Sequence, residues 1–367
     1  MRKSIGRILR ILPVATIGIV ALLLLKPVPQ TVAPAKAGKD VLHWSMPGGY
    51  RIAYRKLSAR PGVERRAPVI FLHGGPGGYV HSAVIRVLAP LTADGRDLYF
   101  YDQSGTGLSD RRARPKDTTI ASHLADLETI RRRIGAEKVV LVGHSFGGML
   151  AALYAAEHPD RIDRLVLSSP GVLRPEQFDA DGVPQTTRRY PVPEGLHFTP
   201  PADYAQVTSA SRMPLRAMAA FTLAQLFNIK VVPDREMDAA INTLASGFTA
   251  SMVCDPRHVK PEEGGAGGYS RVGSNYFPDD FEDRRAQMRR MPAPVLVLQG
   301  QCDFLDYADA YEYAALFPSA TYRFVPGAGH ILWWDRPDAY AAAIRGFLAA
   351  PDSAAATAHA SPSTPAR

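Results

Sequence analysis

A mostly parallel central sheet with helices on both faces, interrupted by a mainly helical cap insertion, is the α/β architecture that this 367-residue sequence predicts. Three observations predict it. Short β-rich runs alternate with helix-length stretches, as in a sheet built from strand–helix–strand units. The runs are continuously apolar, the pattern of strands buried on both faces. The alternation stops between about Val172 and Met291 and then resumes. A hydrophobic content of 46% supplies enough core for one large domain carrying an insertion.

Residues 1–39 read as a signal peptide or membrane anchor followed by a linker. Arg2, Lys3, Arg7 and Arg10 precede an uncharged, mostly apolar run from Ile11 to Leu25, which Lys26 ends. The run suits the apolar region of a signal segment and is short for a relaxed membrane span. Lys26-Pro27-Val28-Pro29 cannot continue a helix, and Ala33, Ala35 and Ala37 offer small-residue cleavage positions. Either the segment is removed, or residues 11–25 stay as an anchor with the basic end in the cytoplasm. Both readings imply export to the periplasm or the extracellular side. Arg2, Lys3, Arg7, Arg10, Lys26, Lys36 and Lys39 also carry +7 of the formal charge of +8. The downstream chain is therefore nearly neutral, which argues against a nucleic-acid partner.

The core is expected over residues 40–171 and 292–350. Val41–Trp44 and Tyr50–Arg55 read as a hairpin across Pro47-Gly48-Gly49. Strands are predicted at Val69–Leu72, Asp97–Tyr101, Val139–Val142, Leu165–Leu167, Val295–Leu298 and Thr321–Val325. Helices are predicted at Ala121–Ile134, Phe146–Glu157, Tyr307–Phe317 and Pro337–Leu348. Residues 172–291 form the cap, with a helical tract over Ala202–Ile229 and a glycine-rich loop at Gly264–Gly268. Tyr204, Phe221, Phe227, Tyr276 and Phe277 are expected in the core of that cap, and Trp333 and Trp334 near the site. Residues 351–367, rich in Ala, Ser, Thr and Pro, read as a disordered tail.

Cys254 and Cys302 are the only cysteines, which permits one bridge and no disulfide framework. No metal-binding spacing is present, and no cofactor is implied.

The chemistry concentrates on one sheet edge. Gly143-His144-Ser145-Phe146-Gly147 follows a strand and opens a helix, the setting that exposes a nucleophilic serine. Such a serine needs a base, and the base needs an orienting acid. His330, in Gly327-Ala328-Gly329-His330, follows the last strand. Asp303, in Gly300-Gln301-Cys302-Asp303, follows the one before it. Both loops leave the carboxyl edge that carries Ser145, in the chain order Ser, Asp, His. Asp335 and Asp306 are the fallback acids. The glycine-rich His73-Gly74-Gly75-Pro76-Gly77-Gly78 follows another strand, so the N–H groups of Gly75 and Phe146 are the candidate oxyanion donors.

These residues resemble a known family. His73-Gly74-Gly75-Pro76-Gly77, the tract Asp102-Gln103-Ser104-Gly105-Thr106-Gly107-Leu108-Ser109, and the ordered Ser145, Asp303 and His330 are similar to the proline iminopeptidase branch of the α/β-hydrolase superfamily. The resemblance spans about residues 40–350. It implies the α/β-hydrolase fold, a cap, and removal of an N-terminal residue, often proline, from a peptide or amide. The sequence departs from the branch in four places. His144 and Phe146 flank Ser145 where Gly and Trp are usual, and Ser104 replaces an Arg. The cap segment that carries one amine-binding glutamate is absent, since the tryptophans are Trp44, Trp333 and Trp334. Gly273, in Arg271-Val272-Gly273-Ser274-Asn275-Tyr276-Phe277, stands where the second glutamate is expected. Glu236, Glu262, Glu263 or Glu282 could substitute for the missing glutamates, but each reads first as a solvated surface charge.

The expected function is therefore an exported serine hydrolase that cleaves a small ester, amide or short peptide through an acyl-enzyme, proline iminopeptidase-like. The rival readings are a carboxylesterase without aminopeptidase activity and a non-catalytic ligand-binding relative.

Overall fold

The computed structural model describes residues 25–199, 213–275 and 281–351. The apolar leader before Leu25, the tail after Pro351, and Tyr204, Tyr276 and Phe277 lie outside the described residues. Eight strands build one sheet: β1 Leu42–Ser45, β2 Arg51–Leu57, β3 Val69–Leu72, β4 Leu98–Tyr101, β5 Val139–His144, β6 Ile162–Ser168, β7 Val295–Cys302 and β8 Ala320–Gly329. Their spatial order is β1-β2-β4-β3-β5-β6-β7-β8. The hairpin of β1 and β2 joins β4 antiparallel, and all other neighbours pair parallel. The winding runs outward from β3 to β4 and then crosses back to β5 on the other side of β3. In open parallel sheets a binding crevice forms at the carboxyl ends where the winding reverses. Here that crevice lies between β3 and β5.

The helices used below are α1 Ser82–Leu88, α2 Ile120–Arg133, α3 Phe146–Glu157, α4 Leu215–Phe227, α5 Asp234–Phe248, α6 Ser270–Ser274, α7 Tyr307–Leu316 and α8 Pro337–Ala349. Val139 and Leu141 of β5 pack with α2, α3 and α7, whereas Val140 and Val142 pack with α1 and α8 on the opposite face. Two apolar layers explain why the strand reads as an unbroken apolar run. The hairpin, the strand positions and the four helices expected of the core all recur, with ends shifted by a few residues.

Two differences matter for the site. Strands β7 and β8 continue past their apolar stretches and stay paired as far as Cys302 and Gly329, because backbone hydrogen bonding continues where the side chains turn polar. Helix α1 was not legible, being only seven residues long and preceded by a glycine-rich loop; His81 caps it by accepting the Ala83 N–H at 3.1 Å.

Residues 172–291 add no strand to the sheet among the described residues. Their helical tract begins at Leu215, and residues 202–212 of the expected tract lie outside the described residues. Part of this segment has its own apolar cluster, formed by Ala217, Ala220, Ala224, Met237, Ala240, Tyr269 and Val272. Phe221 packs against it as expected, but Phe227 is exposed and belongs to no core. Val28 is buried in the same cluster, and its N–H donates to Glu236 Oε1 at 3.1 Å. The linker is thus docked on the insertion, not free. Among the described residues no helix is long and apolar enough to cross a membrane, and no group of side chains is arranged to hold a metal.

Candidate active site

Ser145 joins the end of β5 to the start of α3 with φ 52° and ψ −123°. Positive φ is costly for a residue with a Cβ and persists only where its surroundings enforce it. The Ser145 N–H donates to Ser168 O at 3.0 Å, and its carbonyl accepts from Gly148 and Gly171, each at 2.8 Å. The turn also needs room behind it. A methyl group at Gly147 would run into the carbonyl oxygens of Leu72 and His73 at the end of β3. Gly147→Ala should therefore cost at least about 3 kcal/mol in urea unfolding, the upper range for overpacking a rigid core.

The extended β7 and β8 deliver the partners. Asp303 and His330 each follow immediately on the last residue of their strand, and both are buried. Asp303 Oδ1 accepts from His330 Nδ1 at 2.8 Å and from the Leu305 N–H at 3.0 Å. The imidazole is packed between the rings of Phe304, at 4.3 Å, and His144, at 4.8 Å. Burial pushes the His144 pKa well below its usual value, and the nearby His330 charge lowers it further. His144 is therefore held neutral beside His330. The fallback acids are engaged elsewhere. Asp335 accepts the N–H groups of Cys254 and Gly329, each at 2.8 Å, and pairs with His258. Asp306 stands at the start of α7, and the acid bonded to His330 is Asp303.

A disulfide joins Cys302, next to Asp303, to Cys254 in the insertion. Replacing both cysteines with serine should lower stability by about 2–4 kcal/mol, read by denaturant unfolding under non-reducing conditions.

The loop after β3 is held over Ser145 by the Asp102–Ser109 turn. His73 Nδ1 donates to Gly74 O at 2.8 Å, which leaves Nε2 to accept the Gln103 N–H at 2.9 Å. Gln103 Nε2 donates to His73 O at 2.8 Å, and Asp102 accepts the N–H groups of Val80, at 2.9 Å, and Leu108, at 2.8 Å. The two motifs occur together because each completes the other's hydrogen bonds. A methyl at Gly74 would lie 3.0 Å from Ser145 Cβ, so the loop passes directly over the serine. The Phe146 N–H opens α3 and has no carbonyl one turn back to bond.

Ser145, His330, Gly74 and Gly75 line one cavity of about 410 Å³. Its far wall is apolar, formed by Ile241, Leu244, Ala245 and Phe248 of α5 with Met252. Trp333 and Trp334 line it too, as do Tyr79 and Phe304, which the sequence did not single out. Such an arrangement can generate a serine nucleophile, orient the base and donate to an oxyanion in a partly desolvated space.

Residues 67–213 match the family described as alpha/beta hydrolase fold. The chain is 25% identical over 311 residues to a proline iminopeptidase from Heyndrickxia coagulans, covering 82% of this chain and 96% of that protein. It is 26% identical over 298 residues to a proline iminopeptidase from Xylella fastidiosa, covering 76% and 88%. Among solved structures, an esterase from Exiguobacterium antarcticum superposes with a TM-score of 0.58 at 16% identity, covering 84% of this chain and 99% of that one; this likeness is one of fold. The chain has the α/β-hydrolase fold.

Within that fold it resembles the proline iminopeptidases, and it is a hydrolase. The structure explains one departure from that branch and corrects one reading. A Cβ at Gly273 would sit 2.9 Å from the carbonyl oxygens of both Pro115 and Thr118, so no side chain fits there without moving backbone. Glu262, read from sequence as a surface charge, lines the cavity instead, where its carboxylate accepts from the Tyr79 hydroxyl at 2.8 Å. Burial raises its pKa, and the Tyr79 hydrogen bond opposes the rise. The sequence signal was present in the adjacent Gly264–Gly268 tract, whose glycines let this segment approach the core. Glu236 pairs with Arg216, Glu263 accepts from the Ser82 N–H at 3.0 Å, and Glu282 is exposed and bonded to Gln287. None of these three lines the cavity.

Proposed function

We propose that the chain is an exported serine hydrolase that removes the N-terminal residue from a small peptide or amide. In this reading Ser145 attacks the scissile carbonyl carbon, and His330 takes the serine proton and then gives it to the leaving amine. Asp303 orients His330 and stabilises the imidazolium, and the N–H groups of Gly75 and Phe146 bind the oxyanion. Water, activated by His330, then hydrolyses the acyl-enzyme and releases Ser145. Residues 172–291 act as the cap over the site. The observation that carries the aminopeptidase part is the presence of Glu262 in the same cavity as Ser145. A half-buried carboxylate is a natural partner for a substrate ammonium.

The apolar wall of α5 favours a second reading, a carboxylesterase that takes acyl chains there. Aminoacyl-naphthylamides and p-nitrophenyl acyl esters separate the two. The aminopeptidase reading predicts turnover of prolyl- or alanyl-naphthylamide, lost on N-acetylation of the substrate. Ester turnover with no amide hydrolysis would establish the second reading.

Export is supported by the basic, then apolar, sequence before Lys26 and by the Cys254–Cys302 bridge, which suits an oxidising compartment. Cell fractionation should place the protein in the periplasm, medium or membrane; a cytosolic pool alone would contradict it.

A further inference from the structure

Arg271 lines the same cavity as Ser145, and no acid answers it. Among the described residues it has no ion pair and no hydrogen bond to a side chain or carbonyl. Three other charged residues of the insertion that are partly buried are paired: Arg216 with Glu236, Lys230 with Asp234, and Asp238 with Arg111. Glu262 shares the cavity but is engaged with Tyr79 and forms no ion pair with Arg271. A guanidinium does not shed its proton at any ordinary pH, so its charge is permanent. A partly buried charge without a partner is a standing cost that an anionic ligand would offset. Burial accordingly lowers the Arg271 pKa, with no acid opposing it.

The base of Arg271 is built as a fixed platform. Its Cγ packs under the glycine-rich loop, where a methyl at Gly77 would meet it at 2.5 Å. Helix α6, which carries it, is pinned at both ends. Ser270 O accepts from Thr118 Oγ1 at 3.1 Å. Ser274 Oγ donates to Thr118 O at 3.0 Å and accepts from His123 Nε2 at 3.0 Å. Burial holds the His123 pKa down to about 3, so the ring is neutral and supplies that hydrogen bond without a charge. Between the two ends, Gly273 is pressed on the Pro115–Thr118 turn. A charge on so rigid a support is placed to recognise, not to move with solvent.

We propose that Arg271 is the carboxylate-binding residue of the Ser145 cavity, so that the substrates are small molecules bearing a carboxylate. Short unblocked peptides meet this description, with the ammonium at Glu262 and the carboxylate at Arg271. The assignment rests on the Ser145 cavity being the substrate site, and it narrows the substrate class that the function above leaves broad.

Isothermal titration calorimetry of sodium hexanoate and of hexanamide tests it, because the two probes share the alkyl chain that would lie on α5 and differ in charge. The wild-type protein is expected to bind hexanoate at least about tenfold more tightly than hexanamide, the worth of a charge-assisted hydrogen-bonded pair. Arg271→Gln should bring the two affinities together. Arg271→Met, which keeps the stem on Gly77, repeats the test if the glutamine protein does not fold. Equal affinities in the wild type, no hexanoate binding, or a preference that survives both substitutions would overturn the proposal. Fluorophosphonate labelling of Ser145 reads the hydrolase assignment separately. Its failure would remove that assignment, while the hexanoate preference would still be decided by calorimetry.

Discussion

Ser145→Ala should lower kcat by at least about 10⁴-fold on any substrate the wild type turns over, with KM little changed, because in the proposed mechanism the change removes the atom that forms the acyl bond. The fold should survive. Alanine needs the same positive-φ backbone, and the hydrogen bonds that enforce this turn come from the Ser145 backbone to Ser168, Gly148 and Gly171, not from its hydroxyl. Far-ultraviolet circular dichroism and a melting temperature within a few degrees of wild type would show this. Residual activity close to wild type would mean that another group attacks the substrate. The loss should be non-additive with His330→Ala, since a base with no serine to activate contributes little more.

The second large effect is at Asp303, where the two obvious substitutions should differ. Asp303→Ala should reduce kcat by about 10⁴-fold, since it frees the His330 ring and leaves the imidazolium uncompensated. Asp303→Asn should cost less. Oδ1 accepts from both His330 Nδ1 and the Leu305 N–H. The Leu305 N–H must meet an oxygen, so it holds the asparagine carbonyl toward the histidine and keeps the tautomer with Nε2 free to accept the serine proton. What the asparagine lacks is the negative charge. If the alanine and asparagine proteins are equally impaired, orientation by Leu305 is irrelevant and charge alone carries the effect. Wild-type activity in both would exclude Asp303 as the orienting acid.

How much of this could be read in advance varies with the physics behind each element. The parallel core was legible because burial on both faces leaves a one-letter signature, as at Val139–Val142 and Val295–Leu298. The ends of β7 and β8 were less so. Main-chain pairing runs on through Gln299 and Gly300 and resumes, after an irregularity, between Cys302 and Gly329, with no apolar signal in β7 to mark it. Ser145, Asp303 and His330 stood out because a strand end, a turn and a chain order constrain them together. Glu262 and Arg271 did not, because their meaning depends on which loops of the insertion fold back over the sheet, a non-local outcome that local sequence does not encode. Gly273 shows the same limit from the other side. The missing acid was visible in the sequence, but the reason for it, the carbonyls of Pro115 and Thr118, lies more than 150 residues away. The pairing of Cys254 with Cys302 likewise became definite only once the insertion was seen to meet the end of β7.

The geometry of this cavity points to an activated serine at position 145. The most direct test is to treat the folded protein with a fluorophosphonate, measure its intact mass and map the modified peptide. One adduct per chain is expected, on Ser145, absent in Ser145→Ala and strongly slowed in His330→Ala. An unmodified wild-type protein, or an adduct on another residue that forms equally in Ser145→Ala, would contradict it.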